Sequence, residues 1–420
     1  MEFLASDAMN GRGSGTRDEW IAAEYIGAQL RLSGLEALGD AGRYVQTIDI
    51  ERRALSGPPA LAFGAGRFTH GKEILVQSMS AARISGPLRR YTEGVTTAGA
   101  AVLLPEGTTP AVTAALMDAA ILLVPDTPQA RNQWTFAASR PVTLGTRLVG
   151  VSAPTAPARV VLDKNAHARL SALPDGSALT LEGDAAPLAR SQTWNAVGRL
   201  KGRDTDRAGE VVLLSAHLDH VGNRPPRGAA APGADTINNG ADDDASGCVA
   251  VIELAKALAA GRPRRTIIVA FFGSEESGGY GSRYFSERPP VPLAQIVANL
   301  QFEMIGRPDP AVPPQTLWLT GFERSTLGPE LARRGARLVQ DPHPDQNFFF
   351  RSDNVHFARR GVVAHTVSSY GLHREYHTPE DETRFVDYRH MTAAIRSMVK
   401  PIEWLANSRF RPEWLPGKKP

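Results

Sequence analysis

Five polar clusters constrain this chain more than any other feature, because each closes an apolar strand-like run or sits beside a glycine. They read S-A-H-L-D-H-V-G around His217, N-N-G-A-D-D-D-A-S-G around Asp243, F-F-G-S-E-E-S-G around Glu276, Q-F-E-M-I-G around Glu303 and E-Y-H-T-P-E-D around His377. Such positions let a fold present charge without burying it unpaired. From Trp194 onward the texture is α/β. Runs at Glu210–Leu214, Thr266–Phe272, Ile296–Phe302 and Val362–Val367 read as strands, nearly all apolar where both faces are covered. Gly247–Ala260 reads as a helix, and His390–Leu405 as a closing helix interrupted near Pro401. Functional groups at the carboxyl ends of parallel strands are what an open α/β sheet predicts for its site.

A chain of 420 residues is long for one core, so two domains are expected. Before Trp194, Asp18–Gly34 patterns as an amphipathic helix and Tyr44–Ile50 as a strand. From Ser56 to Ser191 short strand-like pieces alternate with turns rich in Pro, Gly and Ala, and no metal-ligand spacing occurs. The expected organisation is a catalytic domain of residues 1–55 and 192–420, with residues 56–191 as a smaller strand-rich insert. The fold class is α/β: a mixed, mostly parallel sheet flanked by helices.

Composition narrows function. The formal charge of +3 and the lack of basic stretches interleaved with aromatics argue against nucleic acid. Arg262-Pro263-Arg264-Arg265 reads as a solvated turn. A single cysteine, Cys248, rules out an intrachain disulfide framework and reads as a buried core thiol. No run is long enough to cross a bilayer. The proline-bearing last dozen residues read as a surface tail. The first residues carry no basic-then-apolar leader, yet the opening Met is followed at once by the texture of a domain start.

The clusters together hold the ligands of a two-metal hydrolase. His217 and Asp219 stand two apart, so one can bind a metal while the other fixes the imidazole tautomer. Asp242-Asp243-Asp244 precedes a helix; capping needs one acid, and a carboxylate bridging two metals explains another. Glu275-Glu276 repel unless a cation neutralises them, which suits one ligand beside one general base. Glu303, between Phe302 and Met304, needs a partner, and His377 lies in a proline turn. Among the other histidines, His373 is a candidate brace for a ligand, while His220, His343, His356 and His365 read as structural. Two nitrogen and three carboxylate ligands suit a pair of zinc ions.

This set resembles the M28 family of metallopeptidases, the co-catalytic zinc aminopeptidases. The resemblance implies a zinc-exopeptidase fold, with the insert similar to a protease-associated domain. It implies His217, Asp243, Glu276, Glu303 and His377 as ligands of two Zn²⁺, with Asp243 bridging and a cis bond from Asp243 to Asp244. Asp219 would orient His217, Glu275 would be the general base and Tyr376 would stabilise the oxyanion. Many members carry aspartate where this chain has Glu303.

The function this implies is hydrolysis of the amino-terminal peptide bond of peptides with a free amino terminus. Alternatives on the same scaffold are a carboxypeptidase or dipeptidase, a glutaminyl cyclotransferase, or a non-catalytic binding protein. The run Phe348-Phe349-Phe350-Arg351 is the candidate substrate pocket. Three phenylalanines in a row cannot all face one way, and an apolar pocket would favour leucine, methionine or phenylalanine. Neither nucleic acid nor membrane is expected as a partner, and oligomeric state is open. The expected location is secreted or periplasmic, with the signal segment absent from this sequence; cytoplasmic is the alternative.

Overall fold

The computed structural model describes residues 1–139, 142–151, 156–204, 206–207, 209–224 and 233–420. The chain divides into two compact units, Met1–Ile48 with Gln192–Pro420, and Asp49–Ser191.

The larger unit is built on a mixed sheet. Its strands are β1 (Val45–Ala54), β2 (Ala189–Leu200), β3 (Val211–His217), β4 (Thr266–Phe272), β5 (Ile296–Phe302), β6 (Leu317–Leu319), β7 (Leu338–Gln340) and β8 (Ala364–Ser368), in the order β7-β6-β8-β5-β3-β4-β2-β1. The centre is parallel: β3 pairs with β4 and β5, and β5 with β8. β2 runs antiparallel to β4, and β6 to β8. Every residue of β3, β4 and β5 is buried, which explains their unbroken apolar runs.

Three long helices cover this sheet. Helix α1 (Arg17–Leu32) is capped by the Thr16 hydroxyl and buries Ala22, Ala23, Ile26 and Leu30. Helix α2 (Gly247–Gly261) buries Cys248, Val251, Ile252, Leu254 and Leu258. Helix α3 (Tyr388–Asn407) runs through Pro401, so the expected interruption is absent; Pro401 is itself buried. All three contribute to one apolar core with alternate residues of β3 and β4. No helix among the described residues is long and apolar enough to cross a membrane.

Two local expectations are corrected by packing. Arg265 is 1% exposed: its guanidinium donates to Glu210 at 2.6 Å and to the Leu405 carbonyl at 2.6 Å. A charge so buried needs partners, and both come from distant parts of the chain. The terminal segment also docks. Trp414 donates to the Gly361 carbonyl at 3.2 Å, and its ring lies 5.3 Å from that of His365.

The smaller unit has its own eight-stranded sheet, in the order Gly66–Thr69, Ala60–Phe63, Ala178–Glu182, Arg83–Arg90, Ala101–Leu103, Ile121–Pro125, Ala158–Leu162 and Ile74–Ser78. Thr143–Leu148 pairs antiparallel with residues 50–54. A separate core forms around Leu61, Phe68, Leu88, Leu123 and Leu179.

Candidate metal centre

The carboxyl ends of the buried strands supply the site. His217 closes β3, Glu275 and Glu276 follow β4, Glu303 follows β5, and His377 lies in the segment after β8. Asp243 precedes α2, and the peptide between Asp243 and Asp244 is cis.

Asp243 is the hub. Its Oδ1 lies 3.1 Å from His217 Nε2 and its Oδ2 3.1 Å from His377 Nε2. Glu276 Oε1 lies 3.0 Å from His377 Nε2 and 3.0 Å from His220 Nδ1. Ligand atoms of His220, Asp243, Glu276 and His377 all lie within 4.8 Å of one another. His220 Nδ1, Glu276 Oε1 and His377 Nε2 are buried and make no hydrogen bond among the described residues. Buried polar atoms without partners are costly, and three of them converging on one carboxylate fit a bound cation. Two imidazoles and two carboxylates are a four-ligand set suited to zinc.

Electrostatics agree. Burial works against charge on Asp243, but the close imidazoles of His217 and His377 hold its carboxyl well below the usual range. Burial and Asp243 oppose charge on Glu276, yet His220 and His377 bring it down to about 2. Burial opposes charge on His377, which Asp243 and Glu276 push up to about 9. Glu303 is pushed up to about 7, first by burial and then, against the pull of His217, by Asp243. Its carboxylate accepts a hydrogen bond from the Ser352 hydroxyl.

The remaining acids of the clusters hold backbone in place. Asp244 accepts from the amides of His217, Gly247 and Met304 at 3.1, 3.0 and 3.2 Å. Asp242 accepts from the Gly306 amide at 2.7 Å and faces His373 Nε2 at 3.0 Å, so His373 ties the His377 segment to the acidic run. Asp381 accepts from the amides of Asp242 and Asp243. Asp219 lies 3.8 Å from His217 Nδ1, which is closer to the Asp219 carbonyl at 3.2 Å. The Asp219 carboxylate accepts from the Glu275 amide at 3.0 Å and the Glu276 amide at 3.4 Å. It therefore fixes the glutamate turn as much as the imidazole. Ser274, Met304 and His377 have positive φ of 55°, 53° and 57°. That conformation is costly for such residues and tends to gather at functional sites.

His220 is the residue that sequence reasoning missed. Three positions beyond His217, it would point away along a continuing strand, but β3 ends at His217 and the chain turns it inward. The signal was the second histidine of H-L-D-H, followed by Gly240. A Cβ at Gly240 (φ +59°) would meet the His220 ring at 2.6 Å, so glycine there makes room for it.

Beside the site lies a pocket lined by Glu303, Met304, Trp318, Phe348, Arg351 and Tyr376, among others. Tyr376 stacks on His377, with ring centroids 3.8 Å apart. Phe348 stacks on Trp318 at 5.4 Å, and the exposed Arg351 lies 4.9 Å over the Phe348 ring. The next two phenylalanines do not line this pocket. Phe349 is buried against His365 and Trp414, and Phe350 packs beside it on the same apolar cluster. Asp353 does not pair with Arg351; it accepts from the Ser282 hydroxyl at 2.5 Å.

Residues 195–400 match the family profile described as Peptidase family M28. Leucine aminopeptidase 2 of Trichophyton equinum is 29% identical over 180 residues, 41% of this chain and 32% of that protein. An aminopeptidase of Pseudomonas aeruginosa is 31% identical over 121 residues, 29% of this chain and 19% of that protein. The matched stretches thus span about a third or less of these curated relatives. Two solved structures share the fold along nearly the whole chain. The aminopeptidase from Aneurinibacillus sp. strain AM-1 aligns with TM-score 0.52 and 18% identity over 100% of this chain and 93% of that one. A zinc aminopeptidase from Bacillus subtilis aligns with TM-score 0.52 and 18% identity over 98% and 94%. The larger unit thus matches the M28 profile over residues 195–400, shares the fold of these solved structures and holds a four-residue cluster that could bind a metal ion.

Proposed function

We propose that the protein is an aminopeptidase that uses two zinc ions to hydrolyse the amino-terminal peptide bond of peptides. The observation that carries this is the convergence of unpartnered His220, Glu276 and His377 atoms on Asp243, next to a second glutamate, Glu275. One ion would be held by His220, Asp243, Glu276 and His377. The other would be held by His217, Asp243 and Glu303; His217 meeting the opposite oxygen of Asp243 supports that division. Zinc supplies Lewis acidity, polarising the scissile carbonyl and acidifying water.

Glu275 takes the proton of the attacking water and returns it to the departing amine. Burial pushes its carboxyl well above the usual range, His217 opposes this, and Glu303, Asp353 and Glu276 add to it. A proton is thus held readily at Glu275 for delivery to the leaving group. Tyr376, at the pocket wall and stacked on His377, stabilises the developing oxyanion. Glu303 lines the same pocket and receives the substrate ammonium, while Phe348, Met304 and Trp318 favour an apolar first side chain. On this reading Asp49–Ser191 is an accessory, protease-associated-like domain inserted into the catalytic one, and the enzyme acts outside the cytoplasm.

The test is Glu275→Gln. It should keep its zinc and lose turnover by about 10²–10⁴-fold. A fully loaded variant with wild-type rates would remove Glu275 as the base. Peptides blocked at the amino or the carboxyl end settle the class. Undiminished cleavage after amino blocking defeats the aminopeptidase reading. Loss only after carboxyl blocking turns the exposed Arg351 into a carboxylate anchor and favours a carboxypeptidase or dipeptidase.

A further inference from the structure

The opening segment Arg12–Glu19 has no part in the chemistry above, yet the side chains of Arg12 and Glu19 reach the backbone of the loops that carry His220, Asp243 and Glu276. Arg12 is 1% exposed and, among the described residues, its guanidinium is held by carbonyls. Its guanidinium donates to the carbonyls of Leu4, Asn239, Gly240 and Leu218 at 2.5, 2.6, 3.0 and 3.1 Å. Three of those carbonyls belong to the loops bearing His220 and Asp243. The Arg12 carbonyl in turn accepts from the His220 amide at 3.0 Å. Ser14 donates its hydroxyl to Asp219 at 2.5 Å.

Glu19, on α1, is wholly buried. Its Oε1 accepts from the Ser274 amide at 2.7 Å and from the Thr193 hydroxyl at 2.8 Å, and its Oε2 accepts from the Gly15 amide at 2.8 Å. With Asp219 taking the next two amides, three consecutive N–H groups of Ser274, Glu275 and Glu276 end on two buried carboxylates. Ser274 holds a positive φ of 55° inside this clamp. Amide donors ending on buried acceptors cannot be lost without cost, so they can hold such a turn.

We infer that residues 12–19 are a brace of the metal centre and that Glu19 is a positioning residue for the turn carrying Glu275 and Glu276. Arg12 sets the His220 and Asp243 loops, Ser14 steadies Asp219, and Glu19 fixes the glutamates. This rests on the roles proposed for Glu275 and Glu276, but its main readout is metal binding, which does not depend on turnover. Outer partners of metal ligands typically tune affinity or activity by about 10–100-fold.

The experiment compares the full chain with its Glu19→Gln and Ser14→Ala variants. Glutamine keeps the volume but turns an N–H toward a group of donors. Zinc affinity is read by chelator competition, ligand geometry by the visible spectrum of the cobalt-loaded protein, and kcat separately from KM. Glu19→Gln should weaken zinc by about 10-fold, shift the cobalt bands and lower kcat with KM within about twofold; Ser14→Ala should do the same by about threefold. Zinc affinity and cobalt spectrum unchanged in both folded variants would overturn the brace. So would a loss of activity that vanishes when rates are expressed per folded, zinc-loaded molecule. Should Glu19→Gln not fold, Ser14→Ala and Thr193→Val decide by the same readouts. If the wild-type chain cleaves no peptide, the peptidase reading fails, and the brace is still judged on the metal readouts.

Discussion

The two oxygens of Asp243 face half-sites in different states. On the Oδ2 side, His220, Glu276 and His377 bring three buried atoms that have no hydrogen bond. On the Oδ1 side, the His217 ring is held through Nδ1 by the Asp219 carbonyl with its Nε2 3.1 Å from Asp243, and Glu303 is engaged by Ser352. A cation entering the first side satisfies groups that nothing else satisfies. A cation entering the second must compete with the Ser352 hydroxyl for Glu303. On the proposed two-zinc reading, local hydrogen-bond supply as well as ligand count ranks the two sides of Asp243, and it predicts a tight side and a weak side.

Four experiments break or sharpen that ranking. The largest effect belongs to Asp243→Ala, which removes the shared carboxylate: zinc should be lost from both sides and activity fall by on the order of 10⁴-fold. Retention of one tightly held zinc would show that the sides do not share Asp243. Next, Glu276→Ala and Glu303→Ala should differ in stepwise zinc titration. The first should abolish the tight step, and the second only the weak one, with turnover falling by about 10²-fold or more in each. The reverse assignment would invert the comparison. His220→Ala should weaken the tight step by about 10–100-fold and leave the weak one alone; an unchanged tight step would return His220 to a purely structural role.

The smallest effect is on the heat stability of the metal-free protein. His377, pushed up to about 9 mainly by Asp243 and Glu276 against its burial, contributes stability that is whole below its ordinary 6.5 and is lost as pH rises through about 9. Glu276, held near about 2, contributes stability that is whole above 4.5 and is lost only as pH falls through about 2. Glu303, raised by burial to about 7, adds a cost that grows as pH climbs from 4.5 through that value. Metal-free protein should therefore melt highest near about pH 5 and progressively lower toward about pH 9, with zinc flattening the profile. An equal Tm across that range without metal would mean that these groups do not govern the stability of the empty site.

Much of this is legible in the sequence. The runs Thr266–Phe272 and Ile296–Phe302 are strands with those same bounds, because burial on both faces leaves an unbroken apolar signature. Five polar clusters at strand ends marked where charge could converge, since burying it elsewhere would leave it unpaired. Spacing, however, reports direction only while a strand continues. His220 was passed over because β3 stops at His217 and the chain then turns. Phe348 and Phe349 are adjacent in sequence, yet one stacks on Trp318 in the pocket and the other packs on His365 and Trp414. Arg265 and Trp414 read as surface and are held inside by partners far along the chain. The links from Arg12 and Glu19 to loops more than two hundred residues away carry no sequence periodicity at all. The sequence by itself determined which elements form and which residue types gather at their ends, because burial and helix or strand periodicity are local. Which histidine joins Asp243, and what holds the glutamate turn, was decided by the tertiary structure, because ligand geometry and buried hydrogen bonds depend on distances between segments that only folding brings together.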